Sequence, residues 1–232
     1  IGYNELLEGM LLELDNYVVK GSEVSLLTTQ DTNKKELIDL QAKLEKIDLS
    51  IFTDDIFELD VLTKYATDGF KNIILLSDTG CSKNEADSKT LLLLLYLREI
   101  SQKCNCYFSI TSEMLQIRHQ ELAKATRVND FVISSNITGL ITTQISQNRS
   151  LHAIFDDLLD EEGSEIYMKP AGNYIKTDAP VSLFTVYQSA AQRNETAIGY
   201  KKFKENDSFE IVVNPNKSAV VTFSADDLII TI

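Results

Sequence analysis

The 232-residue sequence lacks any apolar stretch long enough for a transmembrane helix, which needs about 18 uninterrupted apolar residues. Its longest apolar run, LLLLLYL at 91–97, is far shorter and has charges on both sides. A recognisable secretory signal peptide is also missing. The sequence starts without Met inside a strand-like segment, so we expect it to be a piece of a longer protein.

Cysteine is scarce, with three residues in the chain. Cys104 and Cys106 form an isolated C-x-C without a second pair, so neither a zinc knuckle nor a disulfide framework is indicated. We therefore expect reduced, mostly buried thiols, as in a cytosolic protein.

Basic residues are also few, since 22 Lys and Arg stand against 35 Asp and Glu, giving a net charge of −13. Nucleic acids are bound through clustered basic side chains, so we expect no nucleic-acid partner. The same charge disfavours docking on anionic lipid. Binding of a cation is compatible with it, although most acidic proteins are simply soluble.

Catalytic motifs are missing from the sequence as well. We find no H-E-x-x-H, G-x-S-x-G or P-loop pattern. The two histidines, His119 and His152, lie in helix-like stretches and have no recognisable nucleophile motif beside them. The sequence therefore does not indicate an enzyme.

The first 135 residues do contain an alternation of strand-like and helix-like segments. The predicted strands are 23–29, 47–53, 72–78, 106–111 and 130–135, and the predicted helices are 5–18, 33–45, 56–67, 85–103 and 114–126. Continuously apolar strands such as IILL indicate helices on both faces of a parallel sheet. This pattern predicts an α/β, Rossmann-like doubly wound parallel sheet over residues 1–135.

The pattern changes after residue 135. A single long helix is predicted from Ile137 to about Asp160, and it ends in the acidic run DDLLDEEGSE. Short strands and a helix near 181–192 follow. We therefore predict a crossing helix or hinge at 136–162 and a small α+β lobe at 163–232.

The start of the chain, IGYNELLEG, lies where a dinucleotide-binding fold carries G-x-G-x-x-G. The three motif positions here are Gly2, Asn4 and Leu7, so one glycine remains. Thr28 lies near the end of the second strand, where an acid would bind the ribose, and Asp31 comes too late. Gly2, Asn4, Thr28 and Asp78 remain the candidates for contacting a cofactor, and a conventional NAD site is not expected.

Several carboxylates follow the predicted strands at their carboxyl ends, where open α/β folds bind ligands. These residues are Asp54, Asp78, Asp87 and Glu113. Together they could offer oxygen ligands to a hard cation such as Ca²⁺. The alternative for each residue is a helix cap or a solvated surface position.

The helix-like stretch ADSKTLLLLLYLREISQKC is apolar nearly all round. A helix of this kind must be covered on at least two sides. One side is predicted to pack on the sheet. The other is either buried in the same subunit or faces a neighbouring one.

Several stretches of the sequence resemble the soluble domain of the CASTOR/POLLUX family of ion channels. They are GSEVSLLT, ADSKTLLLLLYLREI, FVISSNITGLITTQISQNRSL, LLDEEGSEIYMKPAGNYI, AAQRNETAIGYKK and the strand ending VVNP. The two lobes with a crossing helix between them also resemble the layout of RCK domains, the regulators of potassium conductance.

This resemblance implies a cytosolic regulatory domain on the cytoplasmic side of a membrane. It would act on a cation channel or a channel-like transporter whose pore lies in the same or a partner chain. It further implies a homo-oligomeric ring, a tetramer or an octamer of lobes, and a ligand such as Ca²⁺ or a nucleotide. The sequence leaves open two other hypotheses: a diverged NAD(P)-dependent oxidoreductase and a purely structural assembly domain.

Overall fold

A computed structural model describes residues 1–29, 34–116, 131–160, 163–204 and 208–232. These residues divide into two compact units, residues 1–148 and 149–232. The predicted boundaries at 135 and 162 stay a prediction.

The first unit alternates strands and helices. Its strands are β1 (Ser22–Thr28), β2 (Ile47–Thr53), β3 (Asn72–Leu75), β4 (Ser109–Met114) and β5 (Phe131–Ile133). Its helices are α1 (Leu7–Tyr17), α2 (Lys34–Gln41), α3 (Leu59–Ala66), α4 (Lys83–Cys104) and α5 (Ser134–Gln147).

All strand pairs of the first unit are parallel within the described residues. Strand β1 pairs with β2, and β4 lies between β3 and β5. The first two residues join these sheets, because the Gly2 N–H donates to the Leu27 carbonyl at 2.9 Å and the Leu76 N–H donates to the Ile1 carbonyl at 2.9 Å. The resulting order is β2, β1, residues 1–2, β3, β4, β5. This is the strand order of a Rossmann-like doubly wound sheet, so the predicted fold class is confirmed.

Helices cover both faces of this sheet. On one face α3 and α4 bury Leu62, Leu94 and Leu97 against the strands. On the other face α1 and α2 contribute a second apolar cluster that includes Leu7 and Leu40. Side chains that are consecutive in β1, Leu26 and Leu27, enter opposite clusters, as the alternation of a strand requires.

The second unit is an α+β lobe. Its elements are α6 (Leu151–Leu159), β6 (Tyr167–Pro170), a 3-10 turn (Ala171–Asn173), β7 (Pro180–Ser182), α7 (Leu183–Ala191), β8 (Ala197–Phe203), β9 (Phe209–Val213), β10 (Val220–Thr222) and β11 (Leu228–Thr231). The antiparallel sheet has the order β6, β11, β8, β9, and β7 pairs with β10. Helix α7 buries Leu183 and Val186 against Phe223 and Ile229, which forms a core inside this unit.

Two helix predictions were wrong in detail. The single helix predicted from Ile137 to Asp160 is two helices, because α5 ends at Gln147 and α6 begins at Leu151. The intervening Asn-Arg-Ser includes two residues that compete with helix formation through side-chain hydrogen bonds. The start of the predicted helix 181–192 is instead strand β7, held by pairing with β10.

Some expectations fall outside the described residues. Asp31, His119 and most of the predicted helix 114–126 belong to this group. Met114, where that helix was to begin, is the last residue of β4. Within the described part of the chain, no helix has the length and apolarity needed to cross a membrane.

Candidate functional site

Gly2, the one glycine that remains in the incomplete motif, has a structural role. Gly2 has a φ of +91°, which is strained for any residue with a side chain. A Cβ at this position would lie 2.7 Å from the Leu76 carbonyl oxygen. Gly2 therefore allows the chain start to lie close against the residue that follows β3.

The second motif position, Asn4, fills the space that a glycine would leave open. Its buried side chain donates from Nδ2 to the Ser77 carbonyl at 3.0 Å and to Glu113 Oε2 at 2.8 Å. Its Oδ1 accepts the Leu6 N–H at 3.0 Å, just before α1. In a dinucleotide site, backbone N–H groups near this helix start would face a phosphate. Here Asn4 itself satisfies one of them.

Glu113, predicted as a metal ligand, belongs to the same network. It lies at the end of β4 and is 9% exposed. Its Oε2 accepts the Asn4 amide and also the Ser77 N–H, the latter at 3.1 Å. The carboxylate thus ties together the first loop, the end of β3 and the end of β4. Asn4 was predicted as a cofactor contact and Glu113 as a metal ligand. The structure places the two side chains in contact with each other.

A small cavity of about 40 Å³ lies beside this network. It is lined by three of the predicted cofactor residues, Gly2, Thr28 and Asp78, together with other side chains that include Lys89 and Thr90. Pockets that enclose small-molecule ligands have volumes of roughly 300–1,000 Å³. The residues around Gly2 therefore do not fit a dinucleotide in this arrangement.

The charged part of the cavity wall is an ion pair. Lys89 Nζ lies 2.9 Å from Asp78 Oδ2 and 3.3 Å from Glu85 Oε1. The hydrogen bond from Lys89 is the main reason why the pKa of Asp78 is lowered, and the Gly80 N–H contributes to the same effect. The reciprocal bond raises the pKa of Lys89 above its usual value. Both groups therefore stay charged at neutral pH.

The four predicted metal ligands are held separately. Asp87 is fully buried and accepts the Leu115 N–H at 2.8 Å, whereas Asp54 is exposed. Asp78 pairs with Lys89, and Glu113 pairs with Asn4. Among the residues that the structure describes, no group of three or more His, Cys, Asp or Glu could hold a metal ion. The expectation that these carboxylates bind one cation stays a prediction.

Helix α4 has one buried and one open side in the single chain. Leu93, Leu94 and Leu97 are at most 3% exposed, whereas Leu92 is 37% and Leu95 is 49% exposed. The sequence predicted that two sides of this helix must be covered. In the part of the chain that the structure describes, Leu92 and Leu95 stay exposed, so they are available to another molecule.

Sequence reasoning missed Lys89 as a site residue. Its position four residues after Glu85 on a helix is a recognisable signal for an ion pair. The bond to Asp78 could not be found in this way, because it depends on how the loop after β3 folds back onto α4.

Comparison with known proteins gives matches over the whole chain. No family model matches the chain. Over its whole length the chain is 24% identical to the probable ion channel CASTOR of Oryza sativa and to the ion channel CASTOR of Lotus japonicus. It is 23% identical, again over its whole length, to the probable ion channel POLLUX of Arabidopsis thaliana. The resemblance to CASTOR/POLLUX ion channels is confirmed.

The chain spans only about a third of these relatives, since it covers 30%, 31% and 32% of their respective lengths. Among solved structures it is similar to the human SLO3 gating ring, with a TM-score of 0.67 and 10% identity. That match covers 99% of this chain and 42% of the other. At this identity the likeness establishes the fold.

Proposed function

We propose that this chain is a cytosolic regulatory domain that controls the gate of an ion channel or a channel-like transporter. The observation that carries the proposal is the agreement of two comparisons over the whole chain. Its sequence is similar throughout to ion channels, and its fold is similar throughout to a gating ring. The domain acts at the cytoplasmic side of a membrane whose pore belongs to the same or a partner chain.

The proposed assembly is a homo-oligomeric ring, built as a tetramer of chains or an octamer of lobes. The exposed leucines of α4 support it, because they form an apolar surface on a helix that is otherwise packed into the sheet. Apolar surfaces of this kind commonly mark contacts between protein molecules.

The proposed mechanism is a shift between conformations of the ring. A ligand that binds one conformation more tightly than the other increases the population of that conformation. The size of the shift depends on the difference between the two affinities. We place the ligand-responsive region at the carboxyl edge of the sheet, where the Asn4–Glu113 contact and the Lys89–Asp78 ion pair join separate loops. Breaking either contact changes how these loops are held. Ca²⁺ and nucleotides are the ligands to test first.

A chimeric channel tests the gating function. The corresponding segment of the Lotus japonicus CASTOR channel is replaced by this chain, and currents are recorded from membrane patches. We expect the chimera to conduct and its open probability to change when the chain is deleted. Currents that are the same with the chain, without it, or with an unrelated folded domain would refute a gating function.

The alternative of a diverged oxidoreductase predicts tight binding of NAD(H) or NADP(H) by calorimetry. The Asn4 side chain and the small cavity argue against it, and the curated relatives are ion channels. The alternative of a purely structural assembly domain predicts no ligand response at all. A thermal-shift screen separates it from a sensor, because a ligand that binds only the folded chain raises the melting temperature.

A further inference from the structure

The C-x-C motif at the end of α4 is not explained by the proposed function. The sequence predicted mostly buried thiols, but Cys104 is exposed and Cys106 is half-buried. Each of them is a free thiol in the structure. The motif therefore presents two free thiols, separated by one residue, at the surface of the first unit.

The backbone turns sharply between the two cysteines. Asn105, the residue between them, has a φ of 51° in the left-handed region, where asparagine is better tolerated than most residues. The Cys106 N–H donates to the Ser101 carbonyl at 3.1 Å, and the Ser101 hydroxyl donates to the Cys106 carbonyl at 2.7 Å. These two bonds fix Cys106 against the last turn of α4.

The Cys106 side chain points back along the chain. Its Sγ lies 3.5 Å from the Cys104 carbonyl oxygen, to which the thiol donates. In a regular helix, side chains two residues apart lie on nearly opposite sides. Because Asn105 is in the left-handed region, Cys104 and Cys106 do not follow this helical arrangement. The two sulfur atoms can therefore approach one common ion.

We propose that Cys104 and Cys106 form a two-thiolate site for a soft monovalent cation, Cu(I) or Ag(I). Soft thiolate ligands favour Cu(I), and d¹⁰ monovalent ions accept two ligands in a nearly linear arrangement. A structural Zn²⁺ needs four ligands, and the described residues contain no cluster of three or more candidate ligands. Because the motif offers two thiolate ligands, it favours an ion that binds two ligands over an ion that needs four.

Binding releases protons in a defined number. Each thiol loses one proton, and two new metal–sulfur bonds form around one monovalent ion, which gives a complex of net charge −1. The site is independent of the proposed gating function.

Competition with a chromophoric Cu(I) chelator, under anaerobic conditions, tests the site on the whole chain. We expect one Cu(I) per chain, and at least a tenfold loss of affinity in both Cys104→Ser and Cys106→Ser. Cys81→Ser is the matched control, since Cys81 lies at the other end of α4 beside Asp78 and should not contribute. Absence of binding, or an equal loss in Cys81→Ser, would overturn the proposal.

A trivalent aryl arsenical tests the approach of the two sulfur atoms separately. Phenylarsine oxide forms two As–S bonds with a pair of thiols and releases one water molecule. We expect an adduct in the wild type and in Cys81→Ser that survives excess monothiol and is lost in Cys104→Ser and Cys106→Ser. A surviving adduct in either single variant, observed by intact mass, would show that the two thiols do not act as a pair.

Discussion

At the scale of single residues, Gly2 and Asn4 explain how a nucleotide-type loop is kept although two of its three glycines are replaced. Gly2 allows a close approach between backbone segments, and Asn4 replaces a ligand contact with contacts inside the protein. The sequence showed that the motif was incomplete. It could not show that Asn4 meets Glu113, because the two are 109 residues apart and their contact depends on the order of the strands.

Replacing Gly2 by Ala tests the close approach. Gly69 is a matched control, because it has a φ of +89° and no atom near the position of a Cβ. We expect Gly69→Ala to lower the free energy of unfolding by about 1–2 kcal/mol through backbone strain alone. Gly2→Ala should cost about 1–3 kcal/mol more because of the contact with the Leu76 carbonyl. Equal losses in urea denaturation would show that the close approach is unimportant.

Replacing Asn4 by Ala removes the amide that contacts Glu113 and Ser77. The buried Glu113 carboxylate then loses a donor, so we expect a loss of about 1–3 kcal/mol in the free energy of unfolding. Asn16→Ala, at an exposed position of α1, should change it by less than about 0.5 kcal/mol. If the two variants unfold at the same urea concentration, the network does not stabilise the fold.

Asp15 is expected to make the stability of the first unit depend on pH. Burial alone would raise the pKa of this carboxyl, but the backbone N–H groups of Glu45, Lys46 and Ile47 hold it below the usual 3.8. Because the folded pKa is the lower one, the stabilisation is complete above the unfolded pKa and is lost as the pH falls through the folded pKa.

We therefore expect Asp15→Asn to be less stable than the wild type at pH 6. The difference between the two proteins should shrink as the pH is lowered below about 4. Urea denaturation at several pH values measures it. A difference that is constant from pH 6 to pH 3 would show that the ionised carboxylate is not what the three N–H groups stabilise.

At the scale of secondary structure, the first two strands of the parallel sheet were the easiest to predict. The strand predicted at 106–111 was wrong in its bounds, since β4 lies at Ser109–Met114. Strand β2 was predicted at 47–53 and is found there, and β1 was predicted within one residue at each end. Apolar periodicity carries this information. It does not report where a helix is interrupted, so the break between α5 and α6 was missed. It also could not show that β7 pairs with a strand 40 residues away.

Helix α4 carries the prediction that belongs to this scale. Leu95→Glu introduces a charge on its exposed side, and a desolvated charge weakens an interface strongly. We expect at least a tenfold weaker self-association, measured by sedimentation velocity. Ile38→Glu is the control, because Ile38 is 64% exposed on a different helix, α2. Circular dichroism should show both variants folded. Equal effects of the two changes would remove α4 from the proposed ring interface.

At the scale of the whole molecule, each unit has its own apolar core, formed by two clusters in the first unit and by one in the second. Matching a gating ring over 99% of the chain requires both units, which a dinucleotide-binding domain alone would not do. In the proposed function, ring assembly is the step that would link this chain to a membrane pore, since a single subunit has nothing to move against.

The mass of the wild-type chain in solution tests this account most directly. Sedimentation equilibrium over a wide range of concentrations, with and without Ca²⁺ or a nucleotide, distinguishes a ring from a single subunit. We predict a species whose mass is a multiple of the 26.1 kDa chain, with four chains as the expected ring. A mass of 26.1 kDa at every concentration and with every ligand would contradict the account.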